Sequence, residues 1–276
     1  MNVFLLRPAC GLTLGLLLAT ASWAQTPELR SDVSGAEMMT DLMRLTMVPL
    51  SEEPVEFRGH LAYELSRSGQ SSVGELRWDF EGKALMWTDV LNSEGNCTVR
   101  LSPATPLATL GLKREEGNFM TEQMMVMAGF WSEDNEPRVL KAEKNAEPTA
   151  IMGKDCLPWS GKEGKSRVTV WMADVSQFSW SEAEIEATRN AAASWLHCRP
   201  NASELRNLTL PEGVPLKAAW GVPDEEGTLP HSMQVLTLNP SAPFTLDAPN
   251  LWMHVPGRDI NQVAKEMKEQ KAGAGN

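Results

Sequence analysis

The chain predicts an α+β protein built on one large antiparallel sheet. Three observations carry that expectation. In residues 55–65 (VEFRGHLAYEL) every odd position is apolar or Gly, a period of two that marks a strand with one buried face. Similar strand-like runs recur along the chain, joined by short turns, which is the pattern of a meander. Two S-x-x-E capping boxes, Ser34 with Glu37 and Ser181 with Glu184, announce helices that interrupt the strands.

The elements follow in order. After the first capping box, Met38, Leu42 and Leu45 make an apolar stripe at helical spacing, flanked by Met39 and Met43, so a helix is expected over residues 38–47. Pro49 and Pro54 bracket its exit. The long strand 55–65 ends in the turn SRSGQSS. Leu76, Trp78 and Phe80 then alternate with Glu75, Arg77 and Asp79. Glu81-Gly82-Lys83 turns the chain into a third strand, 84–91, and a further turn leads to a fourth, 97–101. Residues 103–113 read as a loop, and 119–128 (FMTEQMMVMA) as a short Met-rich helix stopped by Gly129. Strands are expected at 138–142, 149–152, 156–159 and 167–172, the last two separated by a turn at 160–164. The second major helix covers 181–197 and ends before Pro200. Residues 214–220 and 232–238 flank a polar turn and read as a hairpin. Short strands are expected at 244–246 and 251–255.

The ends carry a different message. Residues 1–24 predict a cleaved export signal: Arg7 supplies the positive n-region, residues 12–21 an apolar stretch too short to span a bilayer, and Ser22-Trp23-Ala24 a cleavage site. Residues 25–33 are expected to be a flexible start and 34–258 a single domain. Residues 259–276 read as a charged helix with a disordered tail. The expected location is periplasmic or secreted.

Composition narrows the function. The formal net charge of −11, with no cluster of basic residues, argues against nucleic acid and anionic lipid headgroups as partners. Beyond the signal the cysteines are Cys97, Cys156 and Cys198, and an exported protein sits where disulfides persist. Cys156 with Cys198 is the preferred pair, because Cys198 ends the helix that follows the strand region of Cys156; the other two pairings stay open. The spacings fit no zinc motif, the histidines are scattered, and neither HExxH nor GxSxG occurs, so no metal, cofactor or catalytic residue is expected. Ten tryptophans against one tyrosine (Tyr63), with fifteen methionines, suit either a filled core or a greasy, adaptable cavity.

Short motifs add a resemblance. Phe57 and Gly59, then Ile151, Gly153 and Cys156, then Trp171, then Gly213, Pro215 and Lys217, then Phe244 and Pro249 stand in an order spanning residues 34–255. In this the chain resembles an uncharacterised family of secreted bacterial proteins akin to the LolA-type lipoprotein carriers. The resemblance implies a LolA-like half-barrel, a strongly curved antiparallel sheet with helices on its concave face and an apolar cavity between them. It implies a non-enzymatic protein that binds a lipid or a lipoprotein acyl chain. Phe57, Leu61, Trp78, Phe80 and Trp171 would be cavity walls, and Met39, Met43, Met124 and Met127 lid residues. The helix 181–197 has no counterpart in the carrier pattern and would cover the cavity mouth. The alternative is an envelope structural or protein-interaction module whose sheet is plugged by its own helices. A hydrolase stands third.

Overall fold

A computed structural model of the chain describes residues 45–89, 95–121, 125, 137–144, 146–199 and 202–257. The expected signal, the start of the first helix and the C-terminal helix lie outside the described residues. The chain divides into two compact units. The smaller contributes an antiparallel ribbon of β1 (Leu45–Pro49) and, late in the chain, a strand at Trp252–Pro256. Residues 45–47, expected as the end of a helix, are therefore strand. Thr46 and Val48, with Pro49 behind them, are β-branched or helix-breaking, and they outweigh the methionine spacing.

The larger unit, Leu50–Leu251, holds the sheet. Its strands are β2 (Val55–Phe57), β3 (Gly59–Arg67), β4 (Gln70–Trp78), β5 (Leu85–Thr88), β6 (Asn96–Arg100), β7 (Leu107–Gly111), β8 (Glu116–Met120) and β9 (Arg138–Val139). They continue as β10 (Lys141–Ala142), β11 (Thr149–Ile151), β12 (Lys154–Glu163), β13 (Ser166–Ala173), β14 (Leu208–Thr209), β15 (Val214–Gly221), β16 (His231–Asn239) and β17 (Phe244–Leu246). Within this unit the main sheet runs β8-β7-β6-β5-β4-β3-β16-β15-β13-β12-β10, with β11 also on β12. Its registered pairs are antiparallel, in agreement with the predicted class.

The α-helix α1 (Glu182–His197) packs against β4 and β15. Those strands flank the β3–β16 pair, so the helix crosses the middle of the sheet. Its predicted capping box is complete: the Ser181 hydroxyl accepts from the Glu184 amide, and the Glu184 carboxylate accepts from the Ser181 amide at 2.8 Å.

Alternation decides which face the helix covers. On β3, Leu61, Tyr63 and Leu65 are buried, and on β4 Leu76 and Trp78 join them. From α1, Ala187, Ala191 and Trp195 meet this surface, with the Trp195 ring 4.5 Å from the Tyr63 ring. Two glycines permit the closeness. A Cβ on Gly59 would fall 1.9 Å from the Trp78 indole. Gly82 turns the chain from β4 to β5 at φ +70°, and a Cβ there would lie 2.1 Å from the Ala187 carbonyl oxygen.

Four further expectations are corrected. The long strand breaks at Arg58, whose amide bonds to the Trp78 carbonyl, so residues 55–57 leave the main sheet and pair with β17. Residues 107–111, expected as loop, form β7. Phe119 and Met120, expected as helix, end β8. The expected turn at 160–164 contracts to Gly164-Lys165, because β12 runs on to Glu163 opposite Ser166.

Candidate functional site

The expected cavity walls do not come together. Trp78 and Leu61 lie on the helix-covered face at 1% and 4% exposure, packed in a filled core. Phe57 is buried too, but in the side ribbon, where its ring stands 6.2 Å from that of Phe244. Phe80 is 64% exposed: β4 ends at Trp78, and the Asp79–Gly82 turn throws the ring outward, within 6.0 Å of the Arg58 guanidinium. Trp171 belongs to the opposite face. Of the expected lid residues, Met39, Met43, Met124 and Met127 lie outside the described residues. Their neighbour Met125 is buried in the core.

The expected Cys156–Cys198 disulfide is not formed, and Cys97, Cys156 and Cys198 are all buried. Cys198 ends α1 with its sulfur 3.3 Å from an Arg100 guanidinium nitrogen, and the Cys156 sulfur faces the Lys154 carbonyl at 3.5 Å. Burial pushes the Cys97 thiol up to about 12 and the Cys156 thiol up to about 11, which keeps both protonated at neutral pH.

Where α1 leaves the sheet, a charged cluster closes the covered face. Arg199, 1% exposed, sets two guanidinium nitrogens at 2.5 and 2.7 Å from one Asp89 carboxylate oxygen and stacks 4.3 Å above the Trp195 ring. The Tyr63 hydroxyl stands 2.6 Å from the Thr88 carbonyl and 3.0 Å from Asp89. Burial, opposed by the nearby Arg199 charge, raises its pKa far above the ordinary phenol value. A buried cation held this way anchors the helix end to the β5 region. It is structural machinery.

The other face carries the open feature, a groove of about 450 Å³. Strand register explains its shape. Ser160, Thr169, Ala219 and Ser232 stand opposite one another on β12, β13, β15 and β16, and these small side chains form a low floor. In the neighbouring row, Pro158, Trp171 and Lys217 make one wall, with the Lys217 ammonium 4.9 Å from the Trp171 ring centre. Arg167 and Glu143, joined as an ion pair, stand at the other end, and both bond the Ser160 hydroxyl. The Ser160 and Thr169 hydroxyls share a 2.8 Å hydrogen bond. Gly227, Thr228 and Leu229, from the β15–β16 turn, complete the rim.

Of these residues, Trp171 was expected as a cavity wall and Lys217 entered the sequence reading only through a motif; Arg167, Glu143 and Ser232 were not singled out. A signal was available. In RVTVWM, Val168, Val170 and Met172 take the apolar phase, which leaves Trp171 with Arg167 and Thr169 on the polar one. Among the described residues no cluster of His, Cys, Asp and Glu is arranged to hold a metal, and no helix is long and apolar enough to cross a membrane.

No family model matches the chain, and no curated protein does. Solved structures align weakly. An uncharacterized conserved protein from Thermus thermophilus shares 9% identity over 75% of this chain and 87% of that one, with a TM-score of 0.37. MucB in the Pseudomonas aeruginosa MucA/MucB complex shares 12% identity over 83% of this chain, with a TM-score of 0.36. MucB in complex with MucA(peri) gives 12% and 0.35. The chain spans 59% of the matched MucB chain in both complexes. At such scores the alignments carry no functional argument.

Proposed function

We propose that this chain is an exported, non-enzymatic envelope protein of LolA-like type that docks another protein on the open face of its sheet. The observation that carries the reading is the division of its aromatic residues. Trp78, Tyr63 and Trp195 fill the helix-covered face, while Trp171, only half-buried where it packs against the core, lines the groove on the other. A periplasmic or secreted location rests on the signal read in residues 1–24. Carriage of a lipid or acyl chain has less support, since Leu61 and Trp78 are core, Phe57 is in a side ribbon and Phe80 faces solvent. Buried alkyl chain would contribute about 0.8 kcal/mol per methylene only where such residues leave room for it.

The test is native mass spectrometry of the chain purified from the envelope without detergent, beside Ser232→Trp, which fills the groove floor. The expected result is a protein complex with the unaltered chain and its loss in the variant at unchanged melting temperature. A reproducible small mass that organic solvent removes, equal in both proteins, would replace this reading with lipid carriage.

A further inference from the structure

We infer that the groove takes an extended, acidic protein segment, with a carboxylate on Lys217 and an apolar side chain against Trp171. The inference rests on the proposed docking role of this face and names the occupant.

Charge is the first argument. Arg167 is neutralised by Glu143 at one end of the groove. At the other end Lys217 contacts the Trp171 ring, and among the described residues no carboxylate pairs with it. The groove thus presents one uncompensated cation in a chain of net charge −11. That arrangement suits a single acidic group at a defined place rather than a strongly acidic tract, which the rest of the surface repels. The ammonium over the indole is also held in position before a partner arrives, which reduces the ordering cost of binding.

Shape is the second argument. Arg167 and Trp171 lie four residues apart on β13, about 13 Å at strand rise. Four or five residues of extended chain match that length, whereas a lone phosphate or carboxylate would touch one end. The floor of Thr169, Ala219 and Ser232 rises little above the sheet, so a peptide backbone can lie close to it. At the far end, Glu143 disfavours a second acid and the Ser160 and Thr169 hydroxyls favour polar, uncharged groups. The recognised pattern is one Asp or Glu beside an apolar residue, followed by neutral polar residues.

A positional-scanning library of acetylated, amidated heptapeptides, captured by the mature full-length chain, tests this. We expect Asp and Glu enriched at least fivefold over Asn and Gln at one position, with apolar residues next to it. Lys217→Met should erase the acidic preference, and Lys217→Glu should turn it toward Lys and Arg, both at unchanged melting temperature. Retained peptides without acidic preference, displaced by Ser232→Trp, would overturn the inference and leave the docking role standing. An acidic preference indifferent to Lys217 would also overturn it. So would Lys217-dependent sedimentation with phosphatidylglycerol vesicles in the absence of peptide capture. Capture of no peptide, on a folded protein, would overturn the inference and the docking role together.

Discussion

The two faces of the sheet use the same residue types for different ends. On the helix-covered face Trp78 and Trp195 are fully enclosed, and the buried cation Arg199 is clamped by Asp89 and stacked on Trp195. On the open face Trp171 is half-buried, and Lys217 lies on its ring without a carboxylate among the described residues. Both faces therefore contain a cation over an indole, but one is enclosed and neutralised while the other remains available. The difference comes from what covers each row. Small residues on α1, chiefly Ala187 and Ala191, let the helix approach the first face, and the second carries the groove instead.

The largest effect that separates the faces should come from truncating their tryptophans. Trp78→Ala leaves a large void beside Gly59 and Leu61 and should cost about 3 to 5 kcal/mol in urea unfolding. Trp171→Ala should cost about 1 kcal/mol. Equal losses would mean that Trp171 is core and that the groove is incidental. Next comes Arg199→Met, which removes two charged hydrogen bonds to Asp89 while Arg67, 3.3 Å away, still pairs with that carboxylate; it should cost about 2 kcal/mol. Lys217→Met, the matching change on the open face, should leave the unfolding midpoint within experimental error.

How far the sequence foretold this arrangement depends on the range of the interactions. Local signals were legible: the capping box of α1, the β15–β16 hairpin and the two-residue period of β3 and β4 all rest on neighbours a few residues apart. Residues 107–111 were not, because Pro103, Pro106 and Gly111 around them carry turn chemistry that hides a short strand. The break at Arg58 was hidden too: period two runs straight through it, and the cause is pairing of β2 with β17, far along the chain. The groove shares that difficulty. Its floor exists only because β12, β13, β15 and β16 align Ser160, Thr169, Ala219 and Ser232, a register that no single segment encodes.

A smaller effect sharpens the account of why the covered face is tight. Gly82→Ala combines an unfavourable backbone at φ +70° with a Cβ against the Ala187 carbonyl and should cost about 2 kcal/mol. Gly69→Ala, at φ +84° with nothing within 4 Å, isolates the backbone part and should cost about 1 kcal/mol. If the two matched, the close approach of α1 to the β4–β5 turn would contribute nothing to stability.

The smallest effect lies on the open face, at His60 on the half-buried polar phase of β3. Burial and the cross-strand Arg77 hold its pKa below the ordinary value of 6.5, and Glu75, 3.4 Å away, opposes them without prevailing. The folded protein therefore resists a proton that the unfolded chain accepts. From pH 6.5 down to the folded-state pKa the unfolded state binds more protons, so stability falls across that window and levels off below it. His60→Gln should flatten this part of the profile of urea midpoint against pH, by a small fraction of the Trp78→Ala effect. Replacing Glu75 with Gln should deepen it, because the one opposing charge is removed. A wild-type profile that rises on acidification through this range, and loses that rise in His60→Gln, would mean that Glu75 outweighs Arg77 and burial, and that the polar phase of β3 is wetter than its place in the sheet implies.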